Sequence, residues 1–210
     1  MTSDTAAYLR QAIRKYVSDW RYAHTLAVEE EAVHLASVFC PEKAEKIRIA
    51  ALLHDITKDF NAEKQLNLCE EFGIIQSDSH LYPKILHSFT GAEWIRREYP
   101  SLVDEEIISA VRWHTTGREN MSLIECILYL ADYIEPTRRF EDCIQLRKYF
   151  YSHLEMLNSD KWRVLCETMV LSLDYSIKNL LASNEFVAID SVRARNWFLA
   201  KLENNAICFK

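Results

Sequence analysis

Three glycines and four prolines are the only strong chain-breakers in 210 residues. So sparse a supply of turn residues argues against a many-stranded sheet and for long helices joined by short connections. Hydrophobic residues at 49% are enough to fill one sizeable core. The expected fold is all-α, a helical bundle in a single domain over residues 1–210, with no linker, internal repeat or low-complexity run.

Apolar spacing locates the helices. Leu9, Ile13, Val17 and Trp20 fall at steps of four, four and three, and open the chain with an amphipathic helix. Ser18 and Asp19 are placed to cap a second, running through His24 toward Phe39. Pro41 suits the first turn of a third, which carries Ile47, Ala50, Ala51, Leu53 and His54. Ala62 to Phe72 reads as a helix with Gly73 as its left-handed stop, and the pattern then dissolves into a loop around Tyr82-Pro83. Ser88 to Tyr99 is helical up to Pro100. Ser101 with Asp104 resembles a capping box opening the helix that reaches His114, and Gly117 breaks it. Met121 to Ile134 is the most apolar segment, ended by Pro136. Three helical stretches follow Arg138, the last near Asp190 to Leu202. They make a C-terminal elaboration (about 141–210) on a metal-binding core of about 18–140. Their apolar faces can pack on that core or against a second copy, so a homodimer stays open.

Laid on these helices, several polar residues point inward. Trp20, His24, Ala27 and Val28 share one face. Ile47, Ala50, Ala51 and His54 share another, with Asp55 one turn beyond Ala51. Ile107, Val111 and His114 continue the pattern, as do Ile124, Leu128 and Asp132. A lone inward histidine is ordinarily a satisfied core residue. A buried, unpaired aspartate, however, costs roughly several kcal/mol unless it protonates or finds a cation. Two such aspartates among several histidines call for metal ions. Mixed imidazole and carboxylate donors suit iron, manganese, zinc and related divalent ions. Asp55 directly after His54 lets the imidazole bind one ion while the carboxylate bridges to a second. His34, His80 and His153 lie off this pattern and read as ordinary histidines.

The ordered set His24, His54-Asp55 and Asp132 resembles the signature of the HD-domain superfamily of metal-dependent phosphohydrolases. A closer similarity is to the YqeK family within it, bacterial enzymes that hydrolyse diadenosine tetraphosphate symmetrically into two ADP. The stretches that carry it are RYAHTLAVEEEA from Arg21, ALLHDITKDF from Ala51, ILHSFTGAEW from Ile85, WHTTG from Trp113, LADYIEPTR from Leu130 and ARN from Ala194. The resemblance implies an HD-type helical bundle with two divalent ions. His24, His54, Asp55 and Asp132 would hold the first, and Asp55, His87 and His114 the second, with iron favoured and manganese next. It implies that the ions share a water, lower its pKa and present hydroxide to phosphorus, so no protein nucleophile is required.

Lys58 and Asp59, about one helical turn past the dyad, would line the same cavity. Lys58 would touch a phosphate oxygen, and Asp59 would orient a water or Lys58; outside the resemblance they read as an exposed ion pair. Thr115, Thr116 and Gly117 would offer hydroxyl and backbone donors to phosphates. Arg138 is either a bidentate phosphate contact or a solvated surface arginine.

Two rival readings stand beside this one: an HD-type nucleotidase or phosphodiesterase acting on another nucleotide, and a non-catalytic nucleotide-binding HD module. The Gly-Tyr-Pro tripeptide of the cyclic-dinucleotide branch is absent, and no metal position is lost. A net charge of −6 without a basic run argues against a nucleic-acid partner. The first residues lack the apolar stretch of a signal peptide, and no segment is long enough to span a bilayer. The six cysteines form no close pair, and Cys69, Cys126 and Cys166 sit in helical apolar patterns where a reduced thiol acts as a small hydrophobe. The expected location is the cytoplasm.

Overall fold

The computed structural model describes residues 2–74, 83–156 and 160–204. Its regular structure there is entirely helical, as the scarcity of turn residues predicts. Helix α1 (Thr2–Ile13) buries Leu9 and Ile13 but ends at Ile13. Val17 falls in the turn that follows, and Trp20 belongs to α2 (Asp19–Phe39), where it is 69% exposed. The cause is the cap. Ser18 Oγ accepts the Arg21 N–H, a new helix starts at residue 19, and Trp20 leaves the phase of the first stripe.

A 3-10 turn at Pro41–Lys43 precedes α3 (Ala44–Leu53), so Pro41 opens that turn and not the helix. Helix α4 (Ala62–Glu71) is followed by Gly73 at φ +65°, the left-handed stop expected. Tyr82, at the expected loop, lies outside the described residues, as do His80 and Cys208. Pro83–Ile85 forms a 3-10 turn that leads into α5 (Leu86–Glu98). Helix α6 (Glu105–Trp113) is capped by Asp104 alone, whose carboxylate accepts the Ile107 N–H at 3.1 Å; Ser101 sits in the turn before. The capping box belongs instead to α7 (Leu123–Ile134), where Ser122 and Glu125 satisfy each other's backbone N–H groups. That start leaves Met121 outside the helix. Helices α8 (Glu141–Leu154), α9 (Lys161–Ala182) and α10 (Ile189–Glu203) are the three C-terminal stretches expected.

One continuous set of buried apolar side chains runs from Leu9 in α1 to Phe198 in α10. Helix α7 lies at its centre and touches α2, α3, α6, α8 and α9. Leu165, Met169 and Leu173 of α9, with Ala194 and Phe198 of α10, are buried in the same core, each large side chain contributing about 1.5–3 kcal/mol. The C-terminal helices therefore pack on the core, leaving Leu181, Phe186 and Ile189 exposed near their connection. No described helix is long and apolar enough to cross a membrane. Cys40, Cys69, Cys126, Cys143 and Cys166 are buried and free.

Gly117 fixes the approach of α10. Its φ is +63°, and a Cβ there would stand 3.2 Å from both Ala194 Cβ and Met121 Sδ. Gly117→Ala is expected to lose on the order of 1–3 kcal/mol through left-handed strain and crowding. Urea unfolding would read this as a lower midpoint; an unchanged midpoint would mean that the loop yields without cost.

Candidate metal centre and active site

Helix ends, more than helix faces, position the centre. His54 is the C-cap of α3 and His114 the C-cap of α6. The last carbonyls of a helix lack intrahelical partners. Each histidine uses one of them: His54 Nδ1 donates to Ala51 O at 2.7 Å and His114 Nδ1 to Val111 O at 2.6 Å. A carbonyl can only accept, so the proton sits on Nδ1 and each Nε2 turns inward with its lone pair. Ending α3 at Leu53 also solves a geometric problem. Adjacent residues on a regular helix diverge by about 100°, whereas the irregular turn over 54–59 lets His54 and Asp55 face one centre. The Thr57 hydroxyl ties this turn to α5 by donating to His87 O at 3.0 Å.

His24 projects from the middle of α2, His87 from the first turn of α5 and Asp132 from the end of α7. Asp55 divides the resulting cluster. Its Oδ2 lies 3.5 Å from His54 Nε2 and 3.9 Å from His24 Nε2, while Asp132 Oδ1 is 3.0 Å from His24 Nε2 and 3.8 Å from His54 Nε2. Its Oδ1 lies 3.3 Å from His87 Nε2 and 3.5 Å from His114 Nε2. All six side chains predicted from sequence as ligands thus converge.

The arrangement fits divalent ions. His24, His54 and Asp132 offer donors within 4.8 Å of one another, as do His54, Asp55 and His114. Ligand bonds of about 2.0–2.2 Å place neighbouring donors near these separations. The buried Nε2 atom of His54 has no hydrogen-bond partner, a costly state for a polar atom unless a cation takes the lone pair; that of His24 meets Asp132 Oδ1 at 3.0 Å. Burial alone would push Asp55 up, but His54, His114 and His87 hold it well below the usual carboxylate range. Asp132 is likewise held low against burial, chiefly by Arg138 and His24. Burial and the Lys58 ammonium push His87 down to about 3, and burial lowers His114. Both rings are neutral, the form that binds metal.

The other predicted residues fare differently. Lys58 Nζ stands 3.2 Å from both ring nitrogens of His87, and burial lowers its pKa. Asp59 turns away from Lys58: its carboxylate accepts the Ser18 N–H at 2.7 Å and lies 3.7 Å from Arg21 Nε, tying the start of α2 to the turn. Thr115 Oγ1 is 3.1 Å from Nε2 of both His87 and His114. The Thr116 hydroxyl is buried and donates to Gly117 O, and the Gly117 N–H is consumed by Trp113 O at 2.9 Å. Gly117 therefore has no backbone donor to spare for phosphate, which corrects that expectation. Arg138 is not a solvated surface arginine: it clamps Asp132, Nη2 to Oδ1 at 2.6 Å and Nε to the carbonyl at 2.5 Å.

Sequence reasoning missed three supporting groups. Glu135, fully buried, accepts from His24 Nδ1 at 3.1 Å and from Thr137, and so orients that imidazole. Arg21 donates to Asp55 Oδ2 at 2.6 Å. Arg147 gathers the carbonyls of Ile134, Glu135 and Arg138. Arg21 lies three residues before His24 on one face of α2, and Glu135, the C-cap of α7, lies three residues after Asp132; that spacing was the available signal.

A cleft of about 660 Å³ opens beside Thr115 and Lys58. Its far wall comes from the end of α9 and the loop before α10, with Ile177, Asn179, Leu180 and Phe186.

Comparison with known proteins agrees with this geometry. The family model of the HD domain matches residues 21–137, the stretch that carries all six converging histidines and aspartates. A symmetrical bis(5'-nucleosyl)-tetraphosphatase of Halalkalibacterium halodurans is 33% identical over 90% of this chain and 94% of its own. Its counterpart from Bacillus subtilis is 30% identical over the same shares. A crystal structure from Clostridium acetobutylicum, described as a predicted HD superfamily hydrolase involved in NAD metabolism, superposes with a TM-score of 0.78 at 31% identity, covering 93% of this chain and 97% of that one. A centre built from four histidines and two aspartates on an all-helical frame, with relatives matching along nearly the whole length, places the chain in the HD-domain superfamily and, within it, in the YqeK family.

Proposed function

We propose that this protein is a metal-dependent phosphohydrolase that cleaves diadenosine tetraphosphate symmetrically into two ADP. The divided carboxylate of Asp55 carries the reading, with one oxygen toward His24 and His54 and the other toward His87 and His114. In this reading His24, His54, Asp55 and Asp132 hold one ion, and Asp55, His87 and His114 the other. Iron is the proposed resident metal and manganese the alternative, since both take mixed imidazole and carboxylate donors. When bound, such ions polarise the phosphate and lower the pKa of water.

The chain's own residues do the positioning that phosphoryl transfer requires. Lys58, at the junction of the centre and the cleft, offsets phosphate charge. Thr115 presents its hydroxyl at the same edge. Arg138 holds Asp132 in place and Arg21 holds Asp55. The cleft beyond has the size of an ordinary small-ligand site, and its apolar walls with the Asn179 amide suit a nucleoside. The acidic charge and the free buried cysteines fit a small nucleotide substrate in a reducing cytoplasm, without nucleic acid.

The test is to incubate iron- or manganese-loaded protein with diadenosine tetraphosphate and separate the products by chromatography. ADP alone is expected. ATP with AMP would keep a hydrolase but reject the symmetrical cut. No product, with both metals confirmed by elemental analysis, would reject the substrate.

A further inference from the structure

We propose that Trp20 is a stacking platform for the second nucleoside of the substrate, on the opposite side of the metal centre from the α9–α10 cleft. The inference rests on the functional reading above and deepens it. Trp20 lies in the first turn of α2, four residues before His24. Its indole is parallel to the His24 imidazole, with 9° between planes and 6.0 Å between centroids. The Arg21 guanidinium carbon lies 4.7 Å from the indole centroid. His24 is itself fixed by Glu135, and Arg21 by Asp55. The ring thus sits against groups that are tied to the metal centre, yet the residue is 69% exposed. No core role accounts for a large apolar ring held in that way.

Its position gives the exposure a use. Contacts run from Trp20 to His24, on to Oδ2 of Asp55, across the carboxylate to Oδ1, then to His87 and His114, Thr115 and the cleft. Trp20 and the cleft are the first and last members of that series of contacts. A dinucleoside tetraphosphate carries a nucleoside at each end of one phosphate chain. Holding both ends fixes the middle of that phosphate chain against the ions. In this proposal the cleft takes one of them and the indole the other. An indole at the other end stacks on any base, because every base offers a π-face, so this subsite tolerates different bases.

The test compares wild type, Trp20→Ala and Trp20→Phe, each with its metal content verified. Steady-state kinetics are measured on diadenosine tetraphosphate, and adenosine 5'-tetraphosphate, which has a single nucleoside, serves as competitor. Trp20→Ala is expected to raise KM for the dinucleotide about tenfold or more with kcat retained and the Ki of the mononucleotide little changed. Trp20→Phe is expected to recover most of the loss. An unchanged KM in Trp20→Ala overturns the proposal. So does an equal loss of both compounds, or loss of metal, since Trp20 would then only steady His24. If wild type fails to cleave diadenosine tetraphosphate, the functional reading fails first and the proposal falls with it. Turnover by wild type with an indifferent Trp20→Ala sinks the proposal alone.

Discussion

Asp55→Ala is expected to leave a folded protein that loads neither ion stably and turns over at a rate lower by on the order of 10³-fold or more. His54 lies within reach of both donor groups, but only Asp55 offers two donor atoms, one facing His24 and His54 and the other facing His87 and His114. Removing it takes a negative charge from a site where four imidazoles, Arg21 and Lys58 already gather, so a dication becomes harder to hold. The fold has little reason to fail. Asp55 lies in a turn, not in the packed interior of a helix, and the flanking Leu53 and Ile56 remain buried. Elemental analysis and circular dichroism on the purified variant separate lost metal from lost structure. A variant that retains two ions and full turnover would sink the bridging role.

The class of fold and the inward His24, His54, Asp55, His114 and Asp132 were readable from the chain because each leaves a local trace, whereas His87 entered only through the family resemblance. Few glycines and prolines mean helices, and a polar residue recurring on an apolar stripe means a partner in the interior. What escaped depends on where helices stop. One capping serine at position 18 resets the helical phase and turns Trp20 from an apparent inward residue into an exposed one. His54 and His114 were legible as inward-facing histidines but not as C-caps, because α3 and α6 end where tertiary packing needs them to end. Gly117 looked like a source of backbone donors, yet its amide closes the last turn of α6 onto Trp113 O. The fate of Asp59 and Arg138 turned on which opposite charge lay nearer, a fact of three dimensions. The cleft joins residues near 58, 115 and 177–186, which no periodic pattern connects.

Metal affinity on the His24 side of the centre is expected to rise about tenfold per pH unit toward pH 9, while the His87 side stays nearly flat. Burial disfavours charge on His24, but hydrogen bonds to Asp132 and Glu135 overcome it and raise the pKa to about 9. Below that pH the ring of the metal-free protein carries a proton on both nitrogens. An ion binding Nε2 must displace one, so each unit of pH below 9 weakens apparent affinity about tenfold. His87, pushed down to about 3, and His114, also lowered, have no such proton near neutrality. The same shift contributes to the stability of the metal-free fold, against the lowered His87 and His114, which cost stability as pH falls below 6.5. His24 is raised above its ordinary 6.5, so its contribution is full below pH 6.5 and is lost as pH climbs to about 9. Asp55 and Asp132 are depressed below 3.8, so theirs is present above that value and lost as pH falls through the lowered range. Added metal reverses the alkaline limb, because a ligand that binds only the folded state stabilises it more as affinity grows. Calorimetric titration of metal-free protein with manganese at pH 6.5, 7.5 and 8.5, in buffers of differing ionisation enthalpy, measures both quantities. Two binding events are expected: one releasing about one proton and tightening about 100-fold across the range, the other doing neither. Equal slopes for both events, or no proton released, would remove His24 from the first site and return it to the core.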